Sequence, residues 1–250
     1  MKKICFYTVI ALLTAFKVQA QVITSGIIKY EKKTNMKLQM KNTFSDNQDM
    51  LRYIDQVPSA VSSFFTLYFN QQESLYKFEE HEKLQGMAVY FNSSSPANEN
   101  VVRRDLMHDT ITARKKFYDA EFLLKELPAR HEWKLQEEIR EIAGYPCRKA
   151  VTTMFDSVVV VAFYTESILP CSGPESVSGL PGMILGLAIP RLYTTWFATE
   201  VQLKEPTTEM LRYNFKGKVT PSEEMDAQVK KSTKSWGSRW AMFSSWWLKV

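Results

Sequence analysis

Three histidines are the first residues to question for chemistry, because each is followed by an acid: His81 by Glu82, His108 by Asp109 and His131 by Glu132. An imidazole held against a carboxylate can move protons as a general acid or base. Neighbours along a strand point to opposite faces, so adjacency in sequence does not make these pairs converge. The chain has neither a His-x-x-x-His spacing for a metal nor a Gly-x-Ser-x-Gly elbow for a nucleophile. All three histidines read as solvated surface residues, no catalytic residue is expected, and a non-enzyme is favoured over an enzyme.

The soft-metal question is raised by eleven methionines, with Met36 and Met40 as a spaced pair and Met107 beside His108. The other reading of most of them is core filling by a flexible side chain. No metal site and no cofactor is expected. Cys147 and Cys171 are the cysteines outside the first twenty residues. An even pair in an oxidising compartment invites a disulfide, with two buried thiols as the alternative.

The compartment is read from residues 1–20. Lys2 and Lys3 precede an apolar stretch from Ile4 to Phe16, and Val18, Gln19 and Ala20 form a small-residue exit. This is the pattern of a cleavable export signal. The apolar stretch is also well short of the roughly 20 residues that a spanning helix needs. Cleavage is expected after Ala20, and a periplasmic or secreted location follows. Loss of Lys2, Lys3 and Lys17 reduces 32 basic residues to 29 against 27 acids. That near balance argues against a nucleic-acid partner, which would want a concentrated basic face.

The elements that must position any site read as strands. Gly26 to Asn35 opens the series, and residues 36–62 are polar and irregular in pattern. Phe64 to Phe69 and Leu75 to Glu79 flank a four-residue turn, the signature of a hairpin. Further strands are expected at 87–91, 101–105, 110–117, 121–126, 134–142, 147–155, 158–164, 183–188 and 193–204, with 211–215 as a last one. Residues 92–100 read as a loop. Strands joined by short turns without intervening helices argue for an antiparallel meander.

Between Pro170 and Gly186 the chain becomes rich in proline and glycine, and it carries Gly179, Leu180, Pro181, Gly182, Met183, Ile184 and Leu185. With Gly144 to Ala150, Ala162 to Thr165, and Trp133 and Lys134, this run resembles the GLPGLI family of exported proteins, known mainly from Bacteroidetes. The departures are Met183 in place of Leu, Phe163 in place of Trp, Cys171 beside the usual proline, and an aromatic tail. The resemblance implies a secreted or periplasmic β-rich protein of unassigned activity and supplies no catalytic residues. On its own chemistry, Leu180–Pro181–Gly182 suits a tight turn. Gly179, Leu180, Pro181 and Gly182 are therefore read either as a buried corner that fixes strand register or as a rigid loop that shapes a ligand or partner site.

In the last thirty residues Met225, Val229, Ser232, Trp236, Trp240, Phe243 and Trp247 recur at gaps of three and four, which puts six apolar residues on one face. That spacing predicts an amphipathic helix. Thr220, Pro221 and Glu223 suggest its capped start, and Gly237 a break into two. The face of Trp236, Trp240, Phe243 and Trp247 must be buried, either against the sheet or at a membrane surface.

The expected architecture is mainly β: a strongly curved antiparallel sheet or open β-barrel over residues 21–220, with a Trp-rich helical tail over 221–250. Such a fold suits a non-enzymatic envelope protein that binds an apolar ligand or a protein partner, as a carrier or chaperone. A metal-handling or surface-assembly accessory protein is the alternative.

Overall fold

The computed structural model describes residues 22–45, 47–86, 88–89, 98–155, 157–236 and 238–250, the side chains of Trp236 and Ser238 excepted. The expected export segment, residues 1–20, lies outside the described residues. The fold is mainly β. Among the described residues the eleven strands are β1 (Gly26–Thr34), β2 (Val61–Phe69), β3 (Glu73–His81), β4 (Val101–Asp105), β5 (Thr110–Phe117), β6 (Ala120–Glu126), β7 (Lys134–Ile142), β8 (Tyr145–Met154), β9 (Val158–Thr165), β10 (Met183–Ile189) and β11 (Thr194–Gln202). They form one antiparallel sheet in the order β6-β5-β4-β3-β2-β1-β11-β10-β9-β8-β7. Two meanders are thus joined by the pairing of β1 with β11, and the edges β6 and β7 are left unpaired with each other.

The sheet curls strongly. Ser172 accepts a hydrogen bond from Ile184 N on β10, while its hydroxyl meets that of Ser74 on β3 at 2.7 Å. Those strands are four steps apart in the sheet, roughly 19 Å if it were flat. One residue can touch both only if the sheet wraps into an open half-barrel. Period-2 alternation lines its hollow: Ile111, Ala113, Lys115 and Phe117 of β5 are buried, and the residues between them are not. The hairpin joining β2 and β3 turns as expected, with Asn70 Oδ1 accepting from Gln72 N and Glu73 N at 2.8 and 2.9 Å.

Four expectations need correction. Residues 36–62 hide two helices, α1 (Met36–Thr43) and α2 (Gln48–Leu51), capped by Asn35 and Asn47. Met36 and Met40 lie one turn apart and pack on Val57 and Val61, so they fill a small core. The strand expected at 87–91 is helical at Ala88 and Val89, the remainder lying outside the described residues. Leu211 to Phe215 forms no strand: Leu211 packs on Leu75 and Val101, and the segment crosses the outside of the sheet. In the tail, Thr220 does not cap a helix; its hydroxyl donates to Lys218 O, and the helix begins at Ser222 after Pro221.

The tail is two helices, α3 (Ser222–Ser232) and α4 (Ser238–Lys249), with a single turn, Lys234–Trp236, between them. Before α3, Thr220 N donates to Leu123 O on the edge strand β6. Asp226 ties the helices together, accepting from Ser245 and pairing with Lys230 at 2.7 Å and Lys249 at 3.2 Å. Among the described residues, no helix is long and apolar enough to cross a membrane.

Candidate functional site

The helical tail covers the hollow of the half-barrel and makes that hollow the candidate site. Phe243, Trp246, Trp247 and Leu248 of α4 are buried in the same core as the inward residues of the sheet. The Trp247 ring lies 6.0 Å from that of Trp196 on β11, and Trp240 stacks at 5.4 Å on Phe44, which follows α1. Arg239 donates to Ser45 Oγ at 2.6 Å. The expected apolar face at Trp240, Phe243 and Trp247 therefore meets the protein itself, whereas the side chain of Trp236 lies outside the described residues. Burial of each large apolar side chain is worth ~1.5–3 kcal/mol, so the roof is firmly seated.

Beneath it the hollow is largely aromatic and aliphatic, with Tyr30, Phe65, Tyr76 and Trp196 fully buried. Phe65 and Tyr76 stack at 4.9 Å, and the Tyr30 hydroxyl donates to Ile184 O at 2.7 Å. Burial pushes the Tyr30 and Tyr76 phenols well above their ordinary range, so both stay neutral. Charged groups are buried there as well: Lys32 on β1, Lys115 on β5, and Glu175 on the loop after β9. None of the three was expected from the sequence. The signal was present, since Lys32 continues the inward series Ile28, Tyr30, and Lys115 the series Ile111, Ala113.

Gly179, Leu180, Pro181 and Gly182 end that same loop and form a corner leading into β10. Leu180 is buried in the core, and Gly182 N donates to Leu180 O at 2.8 Å. Gly182 has φ 141, and a Cβ there would collide with the Thr165 carbonyl. Trp133 Nε1 clamps the loop by donating to Ser178 O at 3.1 Å. The corner is thus closely packed, with Gly182 against the Thr165 carbonyl of β9 and Ser178 held by Trp133.

The disulfide expected between Cys147 and Cys171 is not formed, and both are free thiols. Cys147 is buried on β8, where desolvation lifts its thiol to about 12. Cys171 lies on the loop after β9, and its carbonyl accepts from Arg104 of β4. Each sulfur is turned to its own chain, Cys147 to Tyr145 O and Cys171 to Leu169 O.

The histidines separate into three environments. His108 is exposed and pairs with Asp105 at 2.9 Å, not with Asp109. His131 is half-buried and edge-on to Trp133, and burial lowers its pKa. His81 is half-buried: Nδ1 lies 2.8 Å from Ser63 Oγ and Nε2 4.0 Å from Glu99, while Glu82 accepts from Ser62 N. Ser63, His81 and Glu99 resemble a nucleophile, a base and an acid. The last gap exceeds a hydrogen bond, however, and Lys116 holds Glu99 at 2.8 Å. Ser63 is also buried. Among the described residues, no three of His, Cys, Asp and Glu converge as metal ligands.

No family model and no curated protein matches this sequence. Among solved structures, the chain is similar to PNGF-II in its P21 crystal form, with a TM-score of 0.49, 17% identity, and coverage of 79% of this chain and 32% of that one. The C2 form of PNGF-II gives 0.48, 17%, 79% and 31%. An uncharacterized conserved protein from Thermus thermophilus gives a TM-score of 0.39 and 10% identity over 84% of this chain and 98% of that one. The chain therefore spans about a third of the length of PNGF-II.

Proposed function

We propose that this chain is an exported, non-enzymatic envelope protein of the GLPGLI type that carries an apolar ligand, or an apolar segment of a protein partner, in the hollow of its open sheet. The observation that supports this reading is the match between an apolar hollow and a roof built from a separate, C-terminal piece of the chain. The roof fills the hollow with Phe243, Trp246 and Trp247, which serve as the protein's own stand-in for a ligand. Carriage then consists of exchanging the roof's side chains for the cargo. Contact with a membrane surface through the same tryptophans belongs to the opened state.

Native mass spectrometry of the protein recovered from the cell envelope without detergent tests this reading. A non-covalently bound apolar molecule is the expected result. Bare protein that also takes up no apolar fluorescent probe would overturn it. The export component is checked on the same sample, whose N-terminal residue should be Gln21.

A further inference from the structure

The outer face of the sheet, opposite the roofed hollow, carries a cleft of about 480 Å³. That is the size of sites that take small molecules. Two bulges shape it. In the pairing of β1 with β11, Lys29 opposes Glu200 and Tyr30 opposes Ala198, which leaves Thr199 without a cross-strand partner. In the pairing of β2 with β3, Phe64 opposes Glu80 and Phe65 opposes Phe78, which leaves Glu79 in the same position. Such an extra residue bends its strand and re-aims a side chain. Thr199 and Glu79 both line the cleft, together with Phe64, Tyr68, Glu80 and Met210.

The protein seats a cation of its own at this cleft. Lys77 Nζ lies 4.9 Å from the centre of the Tyr68 ring and 3.8 Å from Glu79, whose carboxylate also accepts from the Tyr68 hydroxyl at 3.5 Å. An aromatic face attracts a cation, and a carboxylate beside it adds to the pull. The same pattern recurs across the strands. Glu80 of β3, Phe64 of β2, Glu31 of β1 and Phe197 of β11 stand side by side in register. Directly opposed side chains lie roughly 4.5–5.5 Å apart at Cβ, so Phe64 has a carboxylate on either side. Beyond Phe197 the row crosses Gly186 of β10 to Phe163 of β9, over which the Arg140 guanidinium lies at 4.7 Å.

Phe64 differs from Tyr68 and Phe163 in what covers it. Its ring is 36% exposed and, among the described residues, carries no cation. Glu31 accepts from the Ser62 hydroxyl at 2.6 Å, and neither Glu31 nor Glu80 has an ion pair among the described residues. Lys33, next outward on β1, stands opposite Ser62 and does not pair with Glu31. The other charges at the cleft are matched, Lys29 by Glu200 at 2.7 Å and Glu79 by Lys77.

We propose that this cleft binds a small organic cation, an alkylguanidinium or alkylammonium, seated on the Phe64 ring between Glu31 and Glu80. Its aliphatic stem runs along the cleft towards Tyr68 and Met210, while Thr199 and the bulged Glu79 close the sides. The site lies on the face opposite the hollow and is independent of the carrier reading.

The test is an amide NMR titration of the intact chain with butylguanidinium and with butylurea, its neutral isostere, at constant ionic strength. The cation is expected to bind about tenfold or more tightly than the urea, with shifts centred on residues 29–31, 62–66 and 78–80. E80Q, an exposed and nearly isosteric change, should weaken butylguanidinium about fivefold or more and leave butylurea unchanged. F64L keeps an apolar floor without the aromatic face and should weaken the cation likewise. Equal affinity for the two compounds, or binding of neither, would overturn the cation site. Cation binding that both variants leave intact, or shifts confined to other surfaces, would overturn its placement on Phe64. Each of these results leaves the carriage of an apolar ligand standing, because that reading concerns the other face.

Discussion

The ammonium of Lys32 lies 4.5 Å from the ring centroid of Trp247, so the first strand and the last helix of the chain meet through a cation over an aromatic face. Such a contact is worth up to ~2 kcal/mol when desolvated. It fastens the roof to the sheet and masks a buried charge at once.

Lys32 gives the stability a signed pH dependence. Burial lowers its pKa from 10.5 to about 8. Between these values the unfolded chain holds more protons than the folded one. The contribution of Lys32 is thus fully present above pH 10.5 and is lost as pH falls through 8. Cys147, raised from 9.0 to about 12 by burial, acts in the opposite sense, so the effect must be read as a difference between proteins. Relative to K32M, the native protein should gain about 3 kcal/mol in urea denaturation between pH 7 and 10.5. A gap independent of pH would contradict this placement of Lys32.

Removing the Trp247 ring should open the hollow. W247A is expected to cost about 3–5 kcal/mol of stability, as large-to-small core changes do. It should also raise binding of an apolar fluorescent probe several-fold. Loss of stability without added probe binding would mean that the roof stays seated for other reasons.

Gly182 should tolerate no side chain. Its φ of 141 and the Thr165 carbonyl against it combine strain and collision. G182A is predicted to lose more than ~3 kcal/mol or to fail to fold, measured by denaturation and circular dichroism. Near-native stability would remove the corner from its structural role.

The thiols should differ sharply. Cys171 is partly exposed and should alkylate in the native protein, whereas buried Cys147, with its thiol raised to about 12, should react only after unfolding. Mass spectrometry reads one adduct before denaturation and two after. A mass two hydrogens lighter, with no alkylation, would mean that a bridge forms after all.

Much of the fold was legible because period-2 alternation and turn chemistry are local properties. The strands at 101–105, 110–117 and 134–142 match their expected ranges, and the split of the tail followed from its spacing and Gly237. The helix at Met36–Thr43 was obscured because its buried positions, Met36, Met40 and Thr43, are few among polar neighbours. Leu211 to Phe215 has strand-like residues but no strand beside it, since it crosses the outer face. The candidate site was least legible of all. Lys32, Lys115 and Glu175 lie in three separate stretches of sequence, and their burial in one hollow depends on the curl of the sheet, which no local pattern shows.

The account turns on exchange between the roof and a cargo, and amide hydrogen exchange of residues 238–249 reads that exchange directly. With 1-decanol bound as an apolar ligand, the amides of α4 are predicted to exchange about tenfold or more faster than in the free protein, as the helix leaves the hollow. Unchanged or slowed exchange in α4 at saturating ligand would contradict the account.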